Sequence, residues 1–243
     1  MNMRLLHGDC LELMKDIPDN SIDCVITDPP YEITPHGGGR CGLADRSSKI
    51  RDEIDFISNG FDYEKTFNEF IRICKIPNFI IFCSNLQLGK TITFFENEGL
   101  KVDCLVWNKL NPAPLCNGKY ISDLEYIIYV HDKGSYFNND APLDFKKKTK
   151  KYGIITSNME KFHPTQKPID LMIELVTVHT RATDVVLDPF AGSGSTGVAC
   201  KMLNRNFIGI ELDKEYYDIA KQRIENGFVQ KEVKLDENLP LFE

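Results

Sequence analysis

The chain carries eight cysteines in 243 residues, at positions 10, 24, 41, 74, 83, 104, 116 and 200, yet it lacks any C-x-x-C pair. That absence removes the usual zinc and dithiol spacings. Several of the cysteines lie inside apolar runs such as Ile80-Ile81-Phe82-Cys83, where the thiol serves as a small core residue. Reduced thiols in a cytoplasmic protein are the expectation. An apolar stretch long enough to span a bilayer is also missing, and the opening MNMRLLHGDC has no apolar signal region, so secretion is not expected. Positive charge is in short supply as well. At a net charge of -7 the whole-molecule field does not attract nucleic acid, and any DNA contact must come from local basic patches.

What is present is ordinary globular composition, 42% hydrophobic and 27% charged, which rules against wholesale disorder. The length suits one main α/β domain with insertions, here taken as residues 1–243. Apolar runs at 4–7, 22–27, 78–83, 102–107, 125–130, 184–188 and 206–210 predict seven strands of a largely parallel sheet. Helical spacing links Phe67, Phe70, Ile71 and Cys74, then Leu88, Thr91, Ile92 and Phe95, then Ile169, Met172, Ile173 and Val176. Pro168 suits the first turn of the last of these, and Gly99 and Gly227 are placed to close two helices. Two stretches break the rhythm. Residues 34–60 carry Gly37-Gly38-Gly39, and the polar residues 131–163 carry five lysines in the run 146–151; both are expected to be functional loops or mobile segments.

The run Val185-Val186-Leu187-Asp188-Pro189-Phe190-Ala191-Gly192-Ser193-Gly194-Ser195-Thr196-Gly197 reads as strand, glycine loop and helix start. Gly192, Gly194 and Gly197 fit G-x-G-x-x-G, and the next strand ends in Glu211, where an acid can hold ribose hydroxyls. This points to a nucleotide-containing cofactor. No Gly-Lys-Ser/Thr follows the glycines, which excludes a Walker loop. Asp188, just before the glycines, would repel a pyrophosphate and suits the ammonium and sulfonium charges of S-adenosylmethionine.

A second unusual stretch, Thr27-Asp28-Pro29-Pro30-Tyr31-Glu32, follows the strand Ile22-Asp23-Cys24-Val25-Ile26. Together with the glycine loop it resembles the amino-methylating DNA methyltransferases, which modify adenine N6 or cytosine N4. D-P-P-Y precedes the glycine loop by about 160 residues, the beta-class order. Gly8-Asp9-Cys10 is similar to that family's G-D-C element, Trp107-Asn108-Lys109 with Asn111-Pro112 to its W-N-K-x-N-P stretch, and His163-Pro164-Thr165-Gln166-Lys167-Pro168 to its H-P-T-Q-K-P element. The resemblance implies a permuted, Rossmann-like methyltransferase fold with a seven-stranded sheet, S-adenosylmethionine as cofactor, duplex DNA as partner and a homodimer in many relatives. It implies that Asp188, Phe190, Gly192, Ser193, Gly194 and Ser195 line the methionine end of the cofactor, helped by Thr165 and Lys167. Glu211 would hold the ribose and Asp9 the adenine amino group, with Cys10 and Asp28 also bordering the cofactor. Asp28, Pro29, Pro30 and Tyr31 would receive the target base. In the family Asp at the first position of D-P-P-Y is usual for adenine and Ser for cytosine N4, so the resemblance favours adenine. No metal is implied.

Plainer readings stand beside these. Asp28 fits a turn, Asp9 a helix cap before Cys10, Trp107 a core position, and Lys167 a solvated charge at a helix start. The lysine run is either an exposed face or a track for phosphates, and residues 131–163 are read as a short target-recognition insertion. Arg40, Arg46, Lys49 and Arg51, directly after the catalytic motif, are placed to close over a flipped base. Competing functions are a cytosine-N4 or RNA methyltransferase, a non-catalytic DNA-binding regulator on the same scaffold, and a nicotinamide-dependent oxidoreductase.

Overall fold

The computed structural model describes residues 1–30, 62–112, 120–155 and 166–226. Tyr31, the loop 34–60 with its basic residues, His163, Pro164, Thr165 and Gly227 lie outside the described residues. Within them the strands are β1 (Met3–His7), β2 (Cys24–Thr27), β3 (Asn78–Cys83), β4 (Lys101–Lys109), β5 (Leu124–His131), β6 (Thr149–Tyr152), β7 (Val185–Asp188) and β8 (Asn206–Glu211). The helices are α1 (Cys10–Met14), α2 (Tyr63–Ile73), α3 (Asn85–Asn97), α4 (Ile169–His179), α5 (Ser195–Met202) and α6 (Lys214–Asn226). The sheet has eight strands, not the seven expected, in the order β1-β8-β7-β2-β3-β5-β4-β6. The extra strand, β6, comes from the stretch 131–163 that reads as irregular. It pairs parallel to β4, with Trp107 beside Lys150. The sequence Thr-Lys-Lys-Tyr offers no apolar alternation, so its strand character is invisible until Lys150 is seen to be buried.

Period-two alternation splits the strand residues between the two faces. Cys24, Ile26, Ile80, Phe82, Ile127 and Val186 face α4 and α5, whose Leu171, Leu175, Val176, Val198 and Ala199 complete one core. Val25, Phe79, Ile81, Ile128, Leu187 and Ile210 form the other with Met14, Phe67, Phe70, Ile73 and Phe95 from α1, α2 and α3. The result is three layers, helices on both faces of a mixed sheet. Trp107 belongs to the first core, 2% exposed, with its indole N–H donating to the Tyr152 carbonyl at 2.8 Å. The core reading of Trp107 is the one observed.

Helix ends follow the chain's local chemistry. Ser84 and Gln87 form a capping box at the start of α3, and Gly99, at φ +76°, follows its end in the left-handed conformation. Pro168 is the residue capping α4 rather than one inside its first turn.

Strand direction decides what meets at the functional edge. β1, β8, β7, β2 and β3 are mutually parallel, so Asp188, Thr27, Cys83 and Glu211 all end strands on one side. β5 runs antiparallel to β3 and β4, with Tyr126 opposite Cys83 and Glu125 opposite Trp107. An antiparallel strand therefore brings its first residues, Leu124 and Glu125, to the edge where its neighbours bring their last. Between β2 and β7 the connections diverge, β2 leading through α2 to β3 and β7 through α5 to β8. Such a switch point opens a crevice beyond the strand ends.

Candidate active site

Both unusual stretches of the sequence emerge into that crevice. β2 runs straight into Asp28-Pro29-Pro30, and β7 ends on Asp188. A direct bond joins them: the Thr27 hydroxyl donates to Asp188 Oδ1 at 2.8 Å. The Thr196 hydroxyl, from the first turn of α5, donates to Asp188 Oδ2 at 2.6 Å, and the Phe190 N–H to Oδ1 at 3.2 Å. Asp188 is 3% exposed, and burial raises its carboxyl to about 6, against the lowering effect of those three hydrogen bonds. It is the knot that ties β2, β7, the glycine loop and α5 together.

The glycine loop needs its glycines for backbone reasons. Gly192 and Gly194 sit at φ +51° and +80°, in the left-handed region, and a Cβ on Gly194 would lie 3.0 Å from the Ala220 Cβ. The Gly192 N–H donates to Glu211 Oε2 at 2.7 Å, and the Asp213 N–H to Oε1 at 2.9 Å. Burial raises the Glu211 carboxyl above its ordinary range. The Gly8 N–H donates to the Glu211 carbonyl at 2.9 Å, which fixes the end of β1 beside the end of β8. Buried Ser193 offers its carbonyl to the buried Arg223 guanidinium, and the Ser195 hydroxyl donates to the Lys167 carbonyl at 3.0 Å.

Asp9 plays the capping role: its Oδ1 accepts the Glu12 N–H at 3.0 Å at the start of α1. Cys10, beside it, is 8% exposed and packs in the core, and burial pushes its thiol up to about 12. This thiol is not a nucleophile at neutral pH.

Lys167 is not a solvated charge. Its side chain is 7% exposed, its ammonium lies 2.5 Å from Asp28 Oδ2 and 2.8 Å from Glu125 Oε1, and it stands 4.9 Å from the Phe82 ring centre. Burial alone would lower this lysine; the Asp28 and Glu125 carboxylates overcome that and hold it above its ordinary range. Glu125 also binds Lys109 at 3.0 Å, and Lys109 lies over the Trp107 ring. Burial opposes its charge, but the two lysines win and lower it to about 2. The sequence reading missed Glu125, although a carboxylate in the otherwise apolar run Leu124 to Val130 was a signal.

The Asp28 turn has a second support that motif reading missed. The Pro30 carbonyl accepts from the Tyr63 hydroxyl and from Gln87 Nε2, the latter at 3.0 Å. Gln87 is in turn fixed by the Ser84 N–H and hydroxyl, which donate to its Oε1 at 3.1 and 2.8 Å. Pro29 is buried and Pro30 half-buried, so the segment just after the acid is rigid.

The lysine run divides. Lys150 is buried and paired with Glu174, Lys148 with Asp103 and Lys147 with Asp144, while Lys146 donates to the Asn139 carbonyl. Lys150 therefore drops out of any phosphate track.

The edge suits an adenosine-bearing ligand with a positive end. Each carboxylate offers about four acceptor sites. Glu211 uses two of its own on backbone N–H groups and retains others for hydroxyl donors.

Comparison with known proteins identifies the family. Residues 22–222 match the family model described as DNA methylase. The Type II methyltransferase M2.LlaDCHI of Lactococcus lactis subsp. cremoris is 34% identical over 248 residues, covering 93% of this chain and 90% of that protein. The crystal structure of an M1.HpyAVI-SAM complex aligns with a TM-score of 0.68 at 31% identity, covering 91% of this chain and 99% of that one. The PvuII DNA methyltransferase, cytosine-N4-specific, aligns with a TM-score of 0.69 at 17% identity, covering 99% and 89%, and shares the fold. With the D-P-P turn and the glycine loop joined at one switch point and most of its length matched, the chain belongs to the N6/N4 family of DNA methylases.

Proposed function

We propose that this DNA methyltransferase acts on the N6 amine of an adenine flipped out of duplex DNA, at a specific site, with S-adenosylmethionine as methyl donor. The observation that carries the reading is the Asp28 turn, held at the end of β2 one residue from the Thr27 to Asp188 bond that leads into the glycine loop. Asp, rather than Ser, at the head of D-P-P-Y supports adenine over cytosine. When bound, S-adenosylmethionine supplies a sulfonium methyl group, and Asp188, Phe190, Gly192, Ser193, Gly194, Ser195, Thr165 and Lys167 would hold its methionine end. Glu211 would take the ribose hydroxyls, and Asp9, with Cys10 behind it, the adenine edge.

The exocyclic amine of adenine is a poor nucleophile because its lone pair is delocalised into the ring. The Asp28 carboxylate and the Pro29 carbonyl each accept one of its N–H bonds, which favours a pyramidal nitrogen with its lone pair turned to the methyl group. A rigid pair of acceptors also stabilises the positive charge that develops on nitrogen as the N–C bond forms and the S–C bond breaks. The surplus proton then leaves to Asp28 or to water. Prolines serve here because neither adds an N–H that competes for the acceptors. Tyr31 gives the extruded base a face to stack on, and extrusion costs a few kcal/mol.

The test is labelled methyl transfer to duplex DNA followed by nucleoside analysis. The expected product is N6-methyladenine. Asp28→Ala should keep cofactor affinity within about threefold while the transfer rate falls by about 100-fold or more, the loss typical of a removed transition-state partner. N4-methylcytosine as the sole product would overturn the adenine assignment, and unchanged turnover in Asp28→Ala would overturn the mechanism.

A further inference from the structure

Four charged side chains alternate in sign along the mouth of the site: Lys109, Glu125, Lys167 and Asp28. Successive contacts are 3.0, 2.8 and 2.5 Å. The inner members are well covered, with 11% of the Glu125 and 7% of the Lys167 side chain exposed. We infer that Glu125 is a positioning residue that holds the Lys167 ammonium away from Asp28 while Asp28 accepts the amine of the target base. The inference rests on the assignment of Asp28 as the acceptor for that amine.

Lys167 and the target amine compete for Asp28. An ammonium at 2.5 Å from Asp28 Oδ2 is a rival donor for a carboxylate that must bind an N–H of the incoming base. Were Asp28 the sole counter-charge, releasing it would strand a buried cation, which is strongly unfavourable for so covered a group. Glu125 removes that obstacle because Lys167 already touches it at 2.8 Å. The ammonium can turn toward Glu125 without ever being unpaired.

Glu125 is itself anchored. Its second oxygen is held by Lys109 at 3.0 Å, and its backbone is locked in β5 between β3 and β4. Two strands thus fix the carboxylate, and the lysine reaches it from the segment just before α4. The antiparallel course of β5 is what delivers Glu125 to this edge.

A network that only staples β4, β5 and the segment before α4 would affect stability and leave the transfer rate alone. Single-turnover methyl transfer by the full chain, with enzyme in excess and both ligands saturating, separates the two. Glu125→Gln should lower that rate by about 100-fold, the scale of a misplaced reacting group, with cofactor and DNA dissociation constants within about threefold of wild type. Glu125→Asp should recover part of the rate. In a Lys167→Met background, with no ammonium left to steer, adding Glu125→Gln should cost no more than about twofold. If Glu125→Gln does not fold, Lys109→Met/Glu125→Gln, which removes a cation with the anion, is read in its place and should show the same loss.

A rate within about threefold of wild type in the folded variant would overturn the inference, as would an equal loss with and without Lys167. The outcomes for the two claims separate. Wild-type protein that makes N6-methyladenine while Glu125→Gln is unaffected removes the role of Glu125 alone. Wild-type protein that methylates only cytosine removes the adenine assignment and leaves the network test in force.

Discussion

At the scale of single residues, Asp188 shows how a motif acid acts through its surroundings. It accepts from Thr27, Thr196 and Phe190, so it shapes the glycine loop as well as charging it. Its carboxyl, raised by burial to about 6, keeps its proton longer in the folded chain than in the unfolded one. Its contribution to stability is therefore full below about pH 4 and falls as pH rises to about 6, by about 3 kcal/mol for a shift of about two units. Asp188→Asn cannot titrate. Urea unfolding of both proteins should show the wild type losing about 2 kcal/mol relative to the variant between about pH 4 and 6.5. A difference that stays flat across that window would contradict this. Asp188 and Glu211 were legible as strand-end acids, Asp188 because it directly precedes the glycine loop and Glu211 because it closes the following strand. Glu125, Gln87 and Tyr63 were not, since their meaning depends on partners distant along the chain: Lys167 for Glu125, and Pro30 for the other two.

Among the elements, β6 is where sequence reading failed. A run rich in lysine reads as a solvated face, yet in a strand every second side chain turns inward, and here Lys150 does so. It is 3% exposed and paired with Glu174, which also accepts from the Tyr152 hydroxyl. Lys150→Met leaves Glu174 as a buried charge without its cation and should cost about 3–5 kcal/mol in denaturant unfolding. Adding Glu174→Gln should restore much of that. If Lys150→Met were as stable as wild type, the pair would not be the anchor of β6. The other seven strands were readable because Val, Ile and Phe runs bounded by turn residues carry their own evidence. What no run reveals is direction, and the antiparallel course of β5 decides which charges reach the active edge.

For the whole molecule, the permuted order of motifs is reconciled by topology. Asp28 and Asp188 lie far apart in the chain, and the adjacency of β2 and β7 makes them neighbours. Because the proposed cofactor edge is assembled from β1, β7, β8 and α5 together, a ligand bound there would stabilise the fold as a unit. S-adenosylmethionine at about 100 times its dissociation constant should add about 2.7 kcal/mol to the unfolding free energy, read as a concentration-dependent rise in melting temperature. NAD should add nothing, and a rise with NAD alone would favour an oxidoreductase. The net charge of -7 leaves DNA binding to local cationic contacts, and it is those contacts, through counterion release, that would make binding salt-sensitive. Modified-base sequencing of DNA from cells expressing the protein decides whether this edge methylates adenine at a defined sequence. The expected result is N6-methyladenine at one recurring sequence, absent from cells expressing Asp28→Ala; N4-methylcytosine alone, or no modification in DNA, would overturn the adenine assignment.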